Sequence, residues 1–206
     1  MQLEKYDFFP VPVFITKYSK AEELRELLVP KLKSVAGNDN DPERYASTGY
    51  TNYHGNDNVL DWKECEELKD FIGQNVANAH TTIGLDGVVA IENSWFSINR
   101  KHSYHEKHNH LPSTWSGVYY VQANEKDSGL SFVNPNLGSN WPFIGKKQMN
   151  DFTASMKTVQ VETGFLWLFP SYLEHKVDEQ LVEQERITIA FNFKGVYAEE
   201  TKEVLV

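Results

Sequence analysis

A single cysteine, Cys65, among 206 residues rules out an internal disulfide, and nothing in the chain asks for an oxidising compartment. Long apolar runs are equally scarce, and none approaches the ~18 residues that a membrane-spanning helix needs. The start, MQLEKYDFFPVPVFITKY, has a short apolar run but lacks the basic segment and small-residue cleavage site of a secretory leader. Positive charge is in short supply too: 20 Lys and Arg face 29 Asp and Glu, for a formal charge of −9. That balance argues against a nucleic-acid footprint, which needs clustered basic residues on one face, and against attraction to an anionic membrane. Lys146–Lys147 is too short a patch to reverse it. Repeats, linkers and low-complexity tracts are also missing. The expectation is a cytoplasmic protein with no nucleic-acid or membrane partner.

What is present suits one globular domain, with 40% apolar and 13% aromatic residues. We read residues 1–206 as one domain, with 1–87 a helical support region and 88–197 a jelly-roll core. FFPVPVFITKY (8–18) reads as a first strand, its prolines suited to a sheet edge. SKAEELRELLVPKLKSVAG (19–37) reads as a helix capped by Ser19, with Leu24, Leu27, Leu28 and Leu32 on one face and Pro30 disturbing its middle. Residues 38–60 are polar and turn-rich and read as a surface loop. Residues 62–84 place Leu68, Phe71, Ile72 and Val76 at helical spacing. From about residue 88, short runs rich in β-branched and aromatic residues alternate with turn signals: VAIENSWFSIN, STWSGVYYVQA, GLSFVNP, KTVQVETG, GFLWLFPSYLEHKV and RITIAFNFKGVY. The predicted fold class is mainly β with flanking helices, a jelly roll buttressed by two N-terminal helices.

HEKHNH (105–110) concentrates three histidines in six positions. Extended backbone would send Glu106, His108 and His110 to one side and turn His105 away. His108 and His110 then form a natural pair of metal ligands, and a catalytic ion wants about three protein ligands with positions left open. His175, after the hydrophobic strand GFLWLFPSYLEHKV, is the best third candidate, ahead of His54, His80 and the more distant His102. A histidine pair on a strand edge, solvated and idle, is the bland alternative.

Arg186 opens RITIAFNF, where alternation sends Arg186, Thr188, Ala190 and Asn192 to one face and Ile187, Ile189, Phe191 and Phe193 to the other. The apolar set packs a core, and the polar set lines an interior. An arginine there is an unpaired charge unless an anion meets it, and its fork suits a carboxylate. An internal ion pair would serve equally. Tyr120 in TWSGVYYVQ can add a phenol to the same interior.

The order of these parts, His108 and His110, then SGVYYVQ, GLSFVNP, GFLWLFPSYLEHKV with His175, and Arg186 in RIT, resembles the Fe(II)- and 2-oxoglutarate-dependent dioxygenases over residues 93–193. The likeness is greatest to the prolyl-hydroxylase-like branch and its uncharacterised bacterial and phage members. It implies a double-stranded β-helix of cupin type and a hydroxylase that couples oxidative decarboxylation of 2-oxoglutarate by O2 to C–H hydroxylation. It also implies that His108 and His175 ligate Fe(II), with Arg186 and Thr188 on the far carboxylate of 2-oxoglutarate and Tyr120 beside it. Position 110 departs from the family, which has aspartate there. Either His110 ligates as a neutral imidazole, or Glu106 supplies a carboxylate, or the position stays open; the first keeps the family spacing. A three-histidine zinc hydrolase is an alternative that leaves Arg186 unexplained, and a non-catalytic jelly-roll binding or structural protein is another. The substrate, small-molecule or peptidyl, is not readable, and a homodimer is among the assemblies left open. Residues 136–152, with Trp141 and Phe143, read equally as a substrate-covering loop or a surface loop, and Tyr50, Tyr53 and His54 as the opposite lip of the site.

Overall fold

The computed structural model describes residues 4, 8–39, 41, 49–53, 55, 57–136 and 150–196. In chain order the elements are β1 (Phe14–Lys17), α1 (Ala21–Asn38), β2 (Tyr50–Thr51), α2 (Glu66–Thr82), β3 (Val88–Asn99), β4 (His105–His108), β5 (Trp115–Gln122), β6 (Leu130–Val133), β7 (Met156–Val159), β8 (Phe165–Pro170), β9 (His175–Val177) and β10 (Arg186–Val196). The strands form a six-stranded sheet, ordered β1-β8-β5-β10-β3-β2, and a four-stranded sheet, ordered β4-β9-β6-β7. Every pairing among the described strands is antiparallel. The two sheets pack face to face as a jelly roll, with Phe132 of β6 edge-on to Phe169 of β8 at 5.1 Å.

The outer face of the large sheet makes the core. Ile187, Ile189, Phe191 and Phe193 of β10 are buried against Leu24, Leu28 and Leu32 of α1 and Leu68, Ile72 and Val76 of α2. Each such side chain stabilises the fold by roughly 1.5–3 kcal/mol through burial. Gly117 lets β5 cross this layer closely, since a Cβ there would stand 2.5 Å from Phe191 Cζ.

The structure corrects several expectations. α1 starts at Ala21 with no side-chain cap from Ser19 or any other residue, and Leu27 points outward, 53% exposed. The helix also runs through Pro30: the buried stripe of Leu24, Leu28 and Leu32 offsets the ~3 kcal/mol that an interior proline costs. α2 is preceded by two 3₁₀ turns, Val59–Asp61 and Lys63–Cys65. Part of the supposed surface loop is structural: Tyr50, Asn52, Val59 and Leu60 are all buried. Its asparagines dock on β3, Asn52 Oδ1 accepting the Phe96 N–H at 2.7 Å and Asn58 Oδ1 the Ser94 N–H at 3.0 Å. GFLWLFPSYLEHKV bends into two strands, β8 and β9, that join different sheets. Among the described residues no helix is long and apolar enough to cross a membrane.

Candidate metal centre

β4 and β9 lie side by side at one end of the small sheet, with His108 directly opposite His175. His110 follows two residues beyond, tied down where its N–H donates to the Ser171 carbonyl at 2.9 Å. The three rings stand 4.4 Å (His108–His175), 5.0 Å (His108–His110) and 5.1 Å (His110–His175) apart, centroid to centroid. One ring nitrogen of each falls within 4.8 Å of the others. Orientation is set locally. His108 Nδ1 bonds the Glu106 carbonyl at 2.7 Å and His175 Nδ1 the Leu173 carbonyl at 2.9 Å, which fixes the tautomer and leaves Nε2 of each as the free lone pair. Burial, with the neighbouring imidazoles adding, drops the pKa of His175 to about 3 and of His110 to about 4. Both are therefore neutral near pH 7, the state in which imidazole ligates.

A cavity of about 70 Å³ opens beside them between the sheets, lined on the far wall by the polar row of β10 and its neighbours. That is room for roughly half a dozen waters, the scale of a small dicarboxylate and not of a polymer. Alternation on β10 is as predicted. Thr188 pairs with Tyr120 of β5 and Ser97 of β3, and Ala190 with Val118 and Trp95. Further along, Asn192 joins Ser116, Asn93 and, through Ser116, Ser171, which anchors His110.

Arg186 is 2% exposed, and its partners are neutral: Nη1 donates to the Ser128 carbonyl at 2.6 Å, to Ser128 Oγ at 2.7 Å and to Gln180 Oε1 at 3.4 Å. Burial pulls its pKa down while Tyr120 and Asp127 push back; a guanidinium stays protonated regardless. Among the described residues no carboxylate is within ion-pair distance of it; the buried Asp127 reaches it only through Gln180. Burial raises the Tyr120 phenol to about 12, so it remains a donor.

β4 itself departs from the regular strand assumed in the sequence. His105 pairs with Val177 and His108 with His175, so three residues on β4 span two on β9. This bulge flips the alternation. His105, although exposed like its two neighbours, lines the cavity, its ring 5.2 Å from that of His108, while Glu106 and Lys107 lie outside the cavity wall. Glu106 therefore does not sit with the imidazoles, and His105 does not turn away. The less favoured histidines lie elsewhere: His80 is held between Trp115 Nε1 and the Asp86 carbonyl, and His102 pairs with Glu179 at the surface. Of the residues expected at the opposite lip, Tyr53 packs its ring 4.7 Å from that of Trp95, which lines the cavity 5.6 Å from His110; Tyr50 is instead buried in the core. His54, Trp141 and Phe143 fall outside the described residues. Sequence reasoning missed Gln180, fully buried, which ties Arg186 to Ser128 and Asp127. A polar residue in the link before β10 carried no signal of that role.

The 2OG-Fe(II) oxygenase family model matches residues 93–192. No curated protein matches the sequence. Among solved structures, a Pseudomonas putida prolyl-4-hydroxylase is similar at TM-score 0.62 and 14% identity, with 91% of this chain and 94% of that one covered. AviO1 from Streptomyces viridochromogenes is similar at TM-score 0.63 and 13% identity, with 91% of each chain covered. HygX from Streptomyces hygroscopicus, solved with nickel, 2-oxoglutarate and hygromycin B bound, is similar at TM-score 0.60 and 12% identity, covering 91% and 84%. At such identities the structures show a shared fold.

Proposed function

We propose, because residues 93–192 match the 2OG-Fe(II) oxygenase family model, that this protein is a dioxygenase of the hydroxylase kind in which His108, His110 and His175 hold Fe(II) while Arg186, Thr188 and Tyr120 hold the far carboxylate of 2-oxoglutarate. The observation that carries the site assignment is a buried arginine, in direct contact with no described carboxylate, sharing one cavity with three inward-facing imidazoles. The donor set fits both groups: neutral nitrogens suit a borderline divalent ion, and a buried guanidinium with no direct carboxylate partner among the described residues suits a carboxylate. When bound, iron and 2-oxoglutarate supply the oxidising power, one O2 being divided between succinate, formed with loss of CO2, and the hydroxylated substrate.

The protein's contribution is positional. The two Nδ1 bonds hold the His108 and His175 rings edge-in, and the Ser171 carbonyl fixes where His110 enters. With imidazole in place of the family aspartate, the protein donates no negative charge to the ion, which strengthens the pull on a dianionic cosubstrate. Ser128 and Gln180 hold one edge of Arg186, so the fork is preorganised. Val118, Leu130 and Val177 keep the middle of the cavity apolar and limit water.

Trp95 and Tyr53 frame the mouth beside His110, where a small-molecule or peptidyl substrate would enter. Hygromycin B in one structural neighbour and the name of another, a prolyl hydroxylase, support either class. The lone, buried, free Cys65 supports a cytoplasmic setting. The test is anaerobic addition of Fe(II) and 2-oxoglutarate: a visible charge-transfer band is expected, and its absence at saturating ligand overturns the assignment. Succinate release across a substrate library then identifies the acceptor.

A further inference from the structure

The bulge in β4 leaves a fourth histidine in the cavity that none of the roles above uses. Its place follows from the register of the small sheet. The row of His108, His175 and Phe132 carries the imidazole cluster. The next row, His105, Val177 and Leu130, lies one two-residue step along the strands, about 6–7 Å. One further step beyond Leu130 comes Ser128, whose carbonyl holds Arg186 Nη1. His105 thus stands between the metal cluster and the arginine, on the wall opposite β10. It shares that row with two aliphatic side chains, and no described residue forms a hydrogen bond with its ring. An imidazole always carries at least one N–H, so the wall facing Arg186 offers one uncommitted donor.

Resting on the reading of the site given above, we propose that His105 is a positioning residue for the cosubstrate, its ring N–H donating to the far carboxylate of 2-oxoglutarate on the side that Arg186 does not cover. Ligand bound at the imidazole cluster and reaching for Arg186 must pass the His105 row. Thr188 and Tyr120 approach from the large sheet, and His105 is the matching polar group from the small one. The bulge serves this purpose by placing His105 on the cavity wall while part of its surface still meets solvent.

The experiment compares native protein with His105→Phe, which keeps a flat ring without a donor, and His105→Gln, which keeps a donor. β4 is an edge strand, so both variants are expected to fold. Anaerobic titrations of Fe(II)-loaded protein measure affinity for 2-oxoglutarate and for 2-oxobutyrate, which lacks the far carboxylate; metal affinity is measured separately. Loss of a hydrogen bond to a charged group weakens 2-oxoglutarate roughly 10-fold or more in His105→Phe, with 2-oxobutyrate and Fe(II) unaffected and partial recovery in His105→Gln. The inference is overturned by native-like 2-oxoglutarate affinity in His105→Phe, by equal loss of both keto acids, by weakened metal binding, or by a glutamine variant no better than phenylalanine. Failure of native protein to bind 2-oxoglutarate at all would instead overturn the underlying assignment of the site.

Discussion

The two sheets divide the labour unevenly. The large one contains the long strands β3, β5 and β10 and is backed by both helices, and its outer face holds most of the buried apolar side chains. The small one has strands of three or four residues, a bulge and an unpaired edge at β4, yet it carries His105, His108 and His175. Stability and chemistry are therefore separable here, and the meeting point is β10, whose outer residues make core while its inner residues line the cavity.

That division can be broken from either side. The largest effect is expected from Phe191→Ala, which empties a fully buried site on the large sheet and should cost ~3–5 kcal/mol, read as a lowered denaturation midpoint. A drop under about 1 kcal/mol would mean that the large sheet does not carry the fold. Next comes His175→Ala, which should weaken Fe(II) by more than the ~10–100-fold typical of losing an outer partner while leaving the thermal midpoint of the metal-free protein close to native. His110→Ala should also weaken the metal and Glu106→Ala should not; calorimetric titration with a divalent ion separates them, and the reverse result would restore the carboxylate.

Arg186→Leu sits on the boundary between the two regions. It should weaken 2-oxoglutarate by roughly 10–100-fold and spare metal binding; equal loss of both would make the arginine structural.

Acidification gives the smallest effect. His175 and His110 titrate below the ordinary 6.5 in the folded chain. As pH falls below 6.5 the unfolded chain therefore takes up protons that the fold refuses, and stability declines. The lowered carboxylates of Glu64 and Glu67 join only below about 4.5. Between those limits His175→Ala should flatten the decline by up to ~1.4 kcal/mol per pH unit, measured by urea denaturation of metal-free protein. An unchanged slope would mean that the imidazole is not shielded.

Periodicity explains what could be read in advance. β3, β5 and β10 are long enough for alternation to declare both faces, so the inward placement of Arg186, Thr188 and Tyr120 was legible, as was the convergence of His108, His110 and His175. Short elements were not. A four-residue strand with one extra residue defeats any argument from period two, which is why Glu106 and His105 exchanged places. The Asn52 and Asn58 side chains dock through backbone groups on β3, and a turn-rich composition conceals such bonds. Gln180 is chosen by its neighbours in space, and nothing adjacent in the chain marks it.

The extra residue in β4 also bears on how this site can drift over generations. Glu106 and Lys107 both project outward, so a lineage that deleted either would regain an unbroken ladder with His105 two places before His108 and still facing inward. Length at this point can vary while both histidines stay inward, provided another carbonyl takes the place of that of Glu106 at His108 Nδ1. Homologues should accordingly be aligned here on their inward histidines, with a one-residue gap permitted, rather than on an unbroken spacing.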